Sequence, residues 1–176
     1  MSFFMVLNGQ FNQHQFDYLN QNGFQRLDKT LAHGEKRQPT LHHCEKRLFA
    51  FEIMSRHVLT LKPTDGLDEA KTLLQKHRIH HIPIVGEKKN LIGLLSDRDL
   101  LKLEENKLFN LIEIKEIMSH IVVACTFDTD AREVAKVLVR EQISAMPVVD
   151  ESRKLIGIVS RVDVLKAVVD QKFKFD

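Results

Sequence analysis

The chain has 176 residues, 43% hydrophobic and 28% charged, a globular composition that excludes wholesale disorder. Its 26 basic and 24 acidic side chains leave a net charge of +2, which gives no reason to expect nucleic acid or an acidic membrane surface as partner. No apolar run approaches the roughly 20 residues of a spanning helix, so the chain is expected to be soluble.

The first seven residues, Met1-Ser2-Phe3-Phe4-Met5-Val6-Leu7, are apolar but lack a basic flank and stop at Asn8-Gly9, unlike a signal peptide. Phe3-Phe4-Met5-Val6 and residues 10–13 around Asn8-Gly9 read as a hairpin with a type I′ turn. Phe16, Leu19, Phe24 and Leu27 give one short apolar face. Residues 32–47 are polar and charged, and read as a linker or partly ordered arm. Residues 1–50 thus form an N-terminal extension. Cys44 and Cys125 lie far apart and outside any CxxC, which suits a reducing compartment and a cytoplasmic setting.

Beyond residue 50 the chain repeats. Glu52-Ile53-Met54-Ser55 recurs 64 residues on as Glu116-Ile117-Met118-Ser119. The same offset carries Val58 to Val122, Leu74 to Leu138, Pro83 to Pro147 and Leu91-Ile92-Gly93 to Leu155-Ile156-Gly157. About a third of the positions from 52 to 102 are identical in this ungapped register, too many for chance. Residues 51–103 and 115–170 are therefore two copies of one unit, joined by 104–114 and followed by a tail, 171–176.

Within copy 1, Val58-Leu59-Thr60-Leu61 is a β-rich run. Leu67, Ala70, Leu73, Leu74 and His77 then mark one face of a helix. Residues 82–85 and 91–95 around Gly86-Glu87-Lys88-Lys89-Asn90 read as a β-hairpin, and Asp97 onward as a second helix. In copy 2, Ala131, Val134, Val137 and Leu138 repeat the helical face, with Asp130 and Glu133 as a capping box. Each unit is β-α-β-β-α in about 50 residues, too small a core to stand alone, so the copies should pack face to face.

The sharpest motif is Gly93-Leu94-Leu95-Ser96-Asp97-Arg98-Asp99, matched by Gly157-Ile158-Val159-Ser160-Arg161-Val162-Asp163. A strand ends at each Ser, a helix begins, and the Asp lies one turn in. Free N–H groups at a helix start favour a phosphate, and a carboxylate can accept two hydrogen bonds from a ribose diol. A purine could lie between Val58, Ile82, Val122 and Met146. The same Ser-x-x-Asp spacing is also a helix cap that binds nothing. Both readings stand on the spacing alone; the motif's recurrence after Gly in each copy favours a site.

These residues resemble a tandem pair of CBS domains, the arrangement called a Bateman module. The marks are Ile53-Met54-Ser55, Ile82-Pro83-Ile84-Val85, the Gly-x-x-Ser-x-x-Asp motifs, and Met146-Pro147-Val148-Val149-Asp150. The resemblance covers about residues 51–170. It implies an α/β fold, two β-α-β-β-α repeats packed as a pseudo-twofold pair. It also implies a regulatory, non-catalytic module binding AMP, ADP, ATP or S-adenosylmethionine between the copies.

By the same resemblance, Asp99 and Asp163 hold the ribose, Ser96 and Ser160 lie near ribose and phosphate, and a homodimer and an effector protein are the expected partners. The family's hydroxyl before the first helix falls on Thr129 in copy 2 but on Asp65 in copy 1, so one good and one poor site are expected. Arg98 and Arg161 are candidate phosphate ligands, with His81 and its mate Ala145 beside them. A ligand-free interaction scaffold is the alternative.

Other chemistries find less support. His77, His80, His81 and His42-His43-Cys44 match no closed zinc spacing, and copy 2 has Ser144 and Ala145 for His80 and His81. There is no Gly-x-Ser-x-Gly elbow and no Gly-x-x-x-x-Gly-Lys-Ser/Thr loop, so an enzyme is not expected. With no Trp and one Tyr, the chain lacks the basic, aromatic-studded stripe of a nucleic-acid binder.

Overall fold

The computed structural model describes residues 2–20, 47–103 and 109–170. The expectations for Phe24, Leu27, residues 32–46 with Cys44, and the tail 171–176 fall outside them. In chain order the elements are β1 (Phe3–Leu7), β2 (Gln10–His14), α1 (Asp17–Asn20), α2 (Ala50–Ile53) and α3 (Leu67–His77). Then come β3 (His81–Val85), β4 (Leu91–Ser96), α4 (Asp97–Leu101), and two 3-10 turns at Phe109–Leu111 and Ile114–Glu116. Copy 2 adds β5 (Ile121–Thr126), α5 (Ala131–Arg140), β6 (Ala145–Val149), β7 (Leu155–Ser160) and α6 (Arg161–Val169).

The two copies repeat one another in backbone detail. β3 pairs antiparallel with β4 from His81↔Ser96 to Val85↔Leu91, and β6 pairs with β7 from Ala145↔Ser160 to Val149↔Leu155. Both ladders slip at the same place, between Ile84 and Val85 and between Val148 and Val149. Left-handed residues recur too: Arg78 and Gln142 after the first helix of each unit, Lys89 and Arg153 in each hairpin turn. A bridge joins Asn90 to its own mate Lys154, which places these two residues beside the axis relating the copies.

A reciprocal exchange locks the pair. The segment leading into copy 1 packs on copy 2: Ala50 N–H donates to Thr129 O, Ala131 N–H to Leu48 O, and Ser55 bridges Ile158. Its mirror image leads into copy 2 and packs on copy 1: Ile114 N–H donates to Asp65 O and Ser119 bridges Leu94. Accordingly the core of copy 1 (Leu61, Leu67, Ala70, Leu74, Ile82, Ile84, Leu95, Leu100) contains Ile114 and Met118. That of copy 2 contains Leu48, Ala50 and Ile53. Gly93 and Gly157 permit the exchange: a Cβ on Gly93 would lie 3.1 Å from Ser119 O, and one on Gly157 3.2 Å from Ser55 O.

The N-terminal hairpin forms as its Asn8-Gly9 turn predicts, with φ of 49° and 82°. Its destination is where symmetry breaks. β1 adds antiparallel to β5, giving the five-stranded order β2-β1-β5-β6-β7. Copy 1 has only the ladder β3-β4, and its β-rich run 58–61 makes a single parallel bridge, Leu61 to Ile84. That bridge is the mate of the Cys125↔Val148 pairing in copy 2. Val6, Leu91, Val122 and Ala124 form a third buried cluster, which ties the hairpin to both copies. A Cβ on Gly9 would sit 2.8 Å from Ile92 Cγ2, so the turn presses on copy 1.

Candidate ligand cleft

Each copy ends its hairpin at a serine and starts a helix there. Ser96 N–H and Oγ–H both donate to Asp99 Oδ2, at 3.0 and 2.6 Å. Ser160 does the same to Asp163 Oδ2 at 2.8 and 2.6 Å, and Asp163 N–H donates to Ser160 Oγ at 3.3 Å. These are capping boxes. They use one carboxylate oxygen of each Asp, whereas an ionised carboxylate offers about four lone-pair sites. The cap therefore orients the Asp without exhausting it.

Both boxes open onto one cleft of about 1330 Å³ between the copies. Its lining comes almost entirely in mates: Ser55 with Ser119, Val58 with Val122, Leu94 with Ile158, Ser96 with Ser160, Asp99 with Asp163 and Lys102 with Lys166. The pseudo-twofold relation thus carries one half of the cleft into the other. It is a paired site.

Of the residues singled out from the sequence, Ser96, Asp99, Ser160, Asp163, Val58, Val122, His81, Ala145, Arg98 and Arg161 line this cleft. Three do not. Ile82 and Met146 are fully buried in the cores of their own copies. Strand alternation turns them away once their neighbours His81 and Ala145 face the cleft. Thr129 is also fully buried, its Oγ1 3.1 Å from Thr126 Oγ1 and 3.5 Å from Ser2 O. Its hydroxyl anchors the N-terminal segment. Asp65, its mate, accepts Lys62 N–H at 2.7 Å and does not line the cleft, so the expected contrast between a good Thr129 site and a poor Asp65 site loses its basis.

The two arginines differ. Arg161 is tied down, donating from Nε to Ile143 O at 2.9 Å and from Nη2 to Leu138 O at 3.3 Å, where α5 ends. Arg98 is exposed on the first turn of α4. Lys102, within 3.3 Å of Asp99 Oδ1, and its mate Lys166 were not among the sequence candidates. Helical spacing of three from each motif Asp could have found them. Arg78 and Gln142 were likewise missed.

Of the remaining candidates, Cys125 is buried in β5, and desolvation pushes its thiol up to about 12, which keeps it unreactive. His80 Nδ1 lies 2.7 Å from Asp97 Oδ2. Among the described residues no group of three His, Cys, Asp or Glu is placed to hold a metal ion, and His42, His43 and Cys44 lie outside them. No helix among the described residues is long and apolar enough to cross a membrane.

Comparison with known proteins gives this geometry its relatives. The inosine-5'-monophosphate dehydrogenase of Methanocaldococcus jannaschii is 27% identical over 117 residues, 66% of this chain and 23% of that protein. The CBS domain pair of protein MJ0100, solved with 5-methylthioadenosine and S-adenosyl-L-methionine, superposes with a TM-score of 0.65 at 30% identity, covering 71% of this chain and 98% of that one. CBSX2, solved in complex with AMP, gives 0.63 at 28% identity, with 71% and 98% covered. The match spans 60% of an uncharacterized Methanopyrus kandleri protein and 22% of an M. jannaschii L-aspartate semialdehyde sulfurtransferase, so the chain covers less than two thirds of these curated relatives. The CBS domain profile matches residues 50–106 and again 114–170, and with two such domains folded about one cleft the chain belongs to the CBS domain family.

Proposed function

We propose that the chain is a regulatory module that binds an adenosine-containing ligand, AMP, ADP, ATP or S-adenosylmethionine, in the cleft between its copies. The observation that carries this is the duplicated Ser/Asp pair on a single cleft, each carboxylate oriented by its serine and still able to accept a ribose diol. Solved neighbours that hold AMP, or S-adenosyl-L-methionine with 5-methylthioadenosine, support the ligand class. Binding would change the relation of the two copies, or of two protomers in a homodimer, and pass adenylate status to an effector protein in the cytoplasm. Catalysis is not part of this reading.

The completed capping boxes favour one rival, a ligand-free interaction scaffold. A thermal-shift series with AMP, ADP, ATP, S-adenosylmethionine and NAD, with GMP as control, separates them. A ligand at 100 times its Kd stabilises by about 2.7 kcal/mol. Asp99→Ala and Asp163→Ala should each cost about 1 kcal/mol without ligand, by loss of the cap. If the cleft binds adenosine, at least one of them also abolishes the ligand shift. A wild-type protein that responds to none of these compounds is the scaffold.

A further inference from the structure

The N-terminal hairpin uses up one strand edge and leaves its mate free. Asn8 N–H donates to His120 O and Thr126 N–H to Ser2 O, at the two ends of the β1–β5 ladder. Alternation between those ends makes Val6↔Val122 and Phe4↔Ala124 the pairs that exchange backbone bonds. The outer edge of β5 is therefore spent. In copy 1, Leu61 bonds toward β3, its N–H to Pro83 O and its C=O to Val85 N–H, so Val58 and Thr60 turn theirs the other way. Val58 N–H donates to Arg56 O. Val58 O and both backbone groups of Thr60 have no backbone partner among the described residues.

The side chains differ in step with the backbone. Val6 closes a cluster with Leu91, Val122 and Ala124, each at most 3% exposed, and Leu94 packs against it. The pseudo-twofold relation carries Leu91, Leu94, Val122 and Ala124 to Leu155, Ile158, Val58 and Thr60. No described residue stands there in the place of Val6: Leu155, Ile158 and Val58 are half-buried and Thr60 is exposed. Val58 and Ile158 also line the cleft, so this apolar opening is continuous with it. An acceptor and a donor two residues apart, beside apolar side chains, suit one edge of adenine, whose 6-amino group donates while the neighbouring ring nitrogen accepts. The edge of β5 has no such groups to offer.

We propose that the chain has one purine seat rather than two. The base of the adenosine ligand pairs with Val58 O and Thr60 N–H against Leu155 and Ile158, and the N-terminal hairpin, through Val6, fills the equivalent place on copy 2. This rests on the cleft being an adenosine site, as argued above. The hairpin is then a resident competitor for the second seat.

The test is calorimetric titration of the full chain with AMP, ATP and S-adenosylmethionine, which share the base. Each ligand that binds should do so at one equivalent per chain. Thr60→Pro deletes the donor but no bond that its N–H makes among the described residues. It should melt as the wild type does and weaken binding about tenfold. Thr60→Val keeps the N–H and should bind normally. N6,N6-dimethyl-AMP, which has no 6-amino hydrogen, should bind at least about tenfold more weakly than AMP. Hydrogen exchange at the Thr60 amide should slow with ligand, while the Val122 and Ala124 amides, already in a ladder, stay unchanged. Val6→Lys puts a charge into the closed cluster; it should free the β5 edge, seen as faster exchange at Ala124, and add a second equivalent.

Two equivalents in the wild type would overturn the single seat, as would unchanged affinity in Thr60→Pro or for the dimethyl analogue. One equivalent in a Val6→Lys chain whose β5 edge exchanges freely would do the same. All of these leave the adenosine reading standing. Failure of all three ligands to bind would overturn that reading itself, and this inference with it.

Discussion

The same strand leads a different life in the two copies. Val122 and Ala124 of β5 are 3% and 0% exposed, roofed by the N-terminal hairpin. Their mates Val58 and Thr60 are half-buried and exposed, and their run makes one bridge where β5 has a full ladder. Nothing local explains this, since Val58-Leu59-Thr60-Leu61 has as many β-branched residues as its mate run Val122-Val123-Ala124-Cys125. A strand of this length keeps its ladder when neighbours hold both edges, and the N-terminal hairpin lies against β5, not against residues 58–61. Copy 2 is the braced half of the molecule, copy 1 the open one.

Deep core substitutions should ignore this contrast, and they give the largest effects. Ile82→Ala and Met146→Ala remove mates that are both fully buried, and each should cost about 2–5 kcal/mol. Denaturant melts should stay single transitions in both variants, because each core contains the other copy's lead-in. Two separate transitions would show the copies to be independent. Next come Gly93→Ala and Gly157→Ala, where the new methyl group meets a backbone carbonyl and a methionine of the exchanged segment. Equilibrium unfolding should register a loss of about 1–3 kcal/mol in each.

The contrast itself is addressed by Val6→Ala, which thins the roof over β5. About 1.5 kcal/mol should be lost, from the burial of roughly two methylene-sized groups. Hydrogen exchange should accelerate at the β5 amides and stay unchanged at residues 58–60. Equal acceleration on both sides would mean that the hairpin braces the whole pair.

A smaller effect separates the two hairpin turns. Asp150 accepts Lys154 N–H at 2.9 Å and Ser152 Oγ–H at 2.8 Å, whereas its mate is Gly86. The bond from the Lys154 backbone, chiefly, holds the Asp150 carboxyl below its usual range. Its stabilisation is therefore present above the unfolded pKa and is lost as pH falls through the lower folded one. Asp150→Asn should destabilise at pH 7, and the gap from wild type should close on acidification; a gap that persists at pH 2 would assign the loss to the turn's shape.

Much of this was legible in the residues. The 64-residue offset gave the two units, Asn8-Gly9 gave the hairpin, and the motif serines marked where strand becomes helix. Asp130 caps α5, accepting Arg132 N–H at 2.8 Å. Less legible was what depends on direction. Thr129 sits where a hydroxyl was expected, but spacing does not say which way a loop side chain turns, and this one turns inward to Thr126 and Ser2. The hairpin's choice of β5 was hidden as well, because Val6 finds its burial against Leu91 and Val122, which lie far away in sequence.

The exchanged lead-ins also bear on how the chain is made. Ala50 waits for Thr129, and Ser55 for Ile158, so the lead-in of copy 1 leaves the ribosome well before the copy whose core it closes. At 5–20 residues per second that interval is roughly 5–20 seconds. During it Leu48, Ala50 and Ile53, which will enter the core of copy 2, are bare, and a nascent chain is exposed to holdases and to its polysome neighbours. The second copy is thus also the folding partner of the segment that precedes the first, delivered late and in cis.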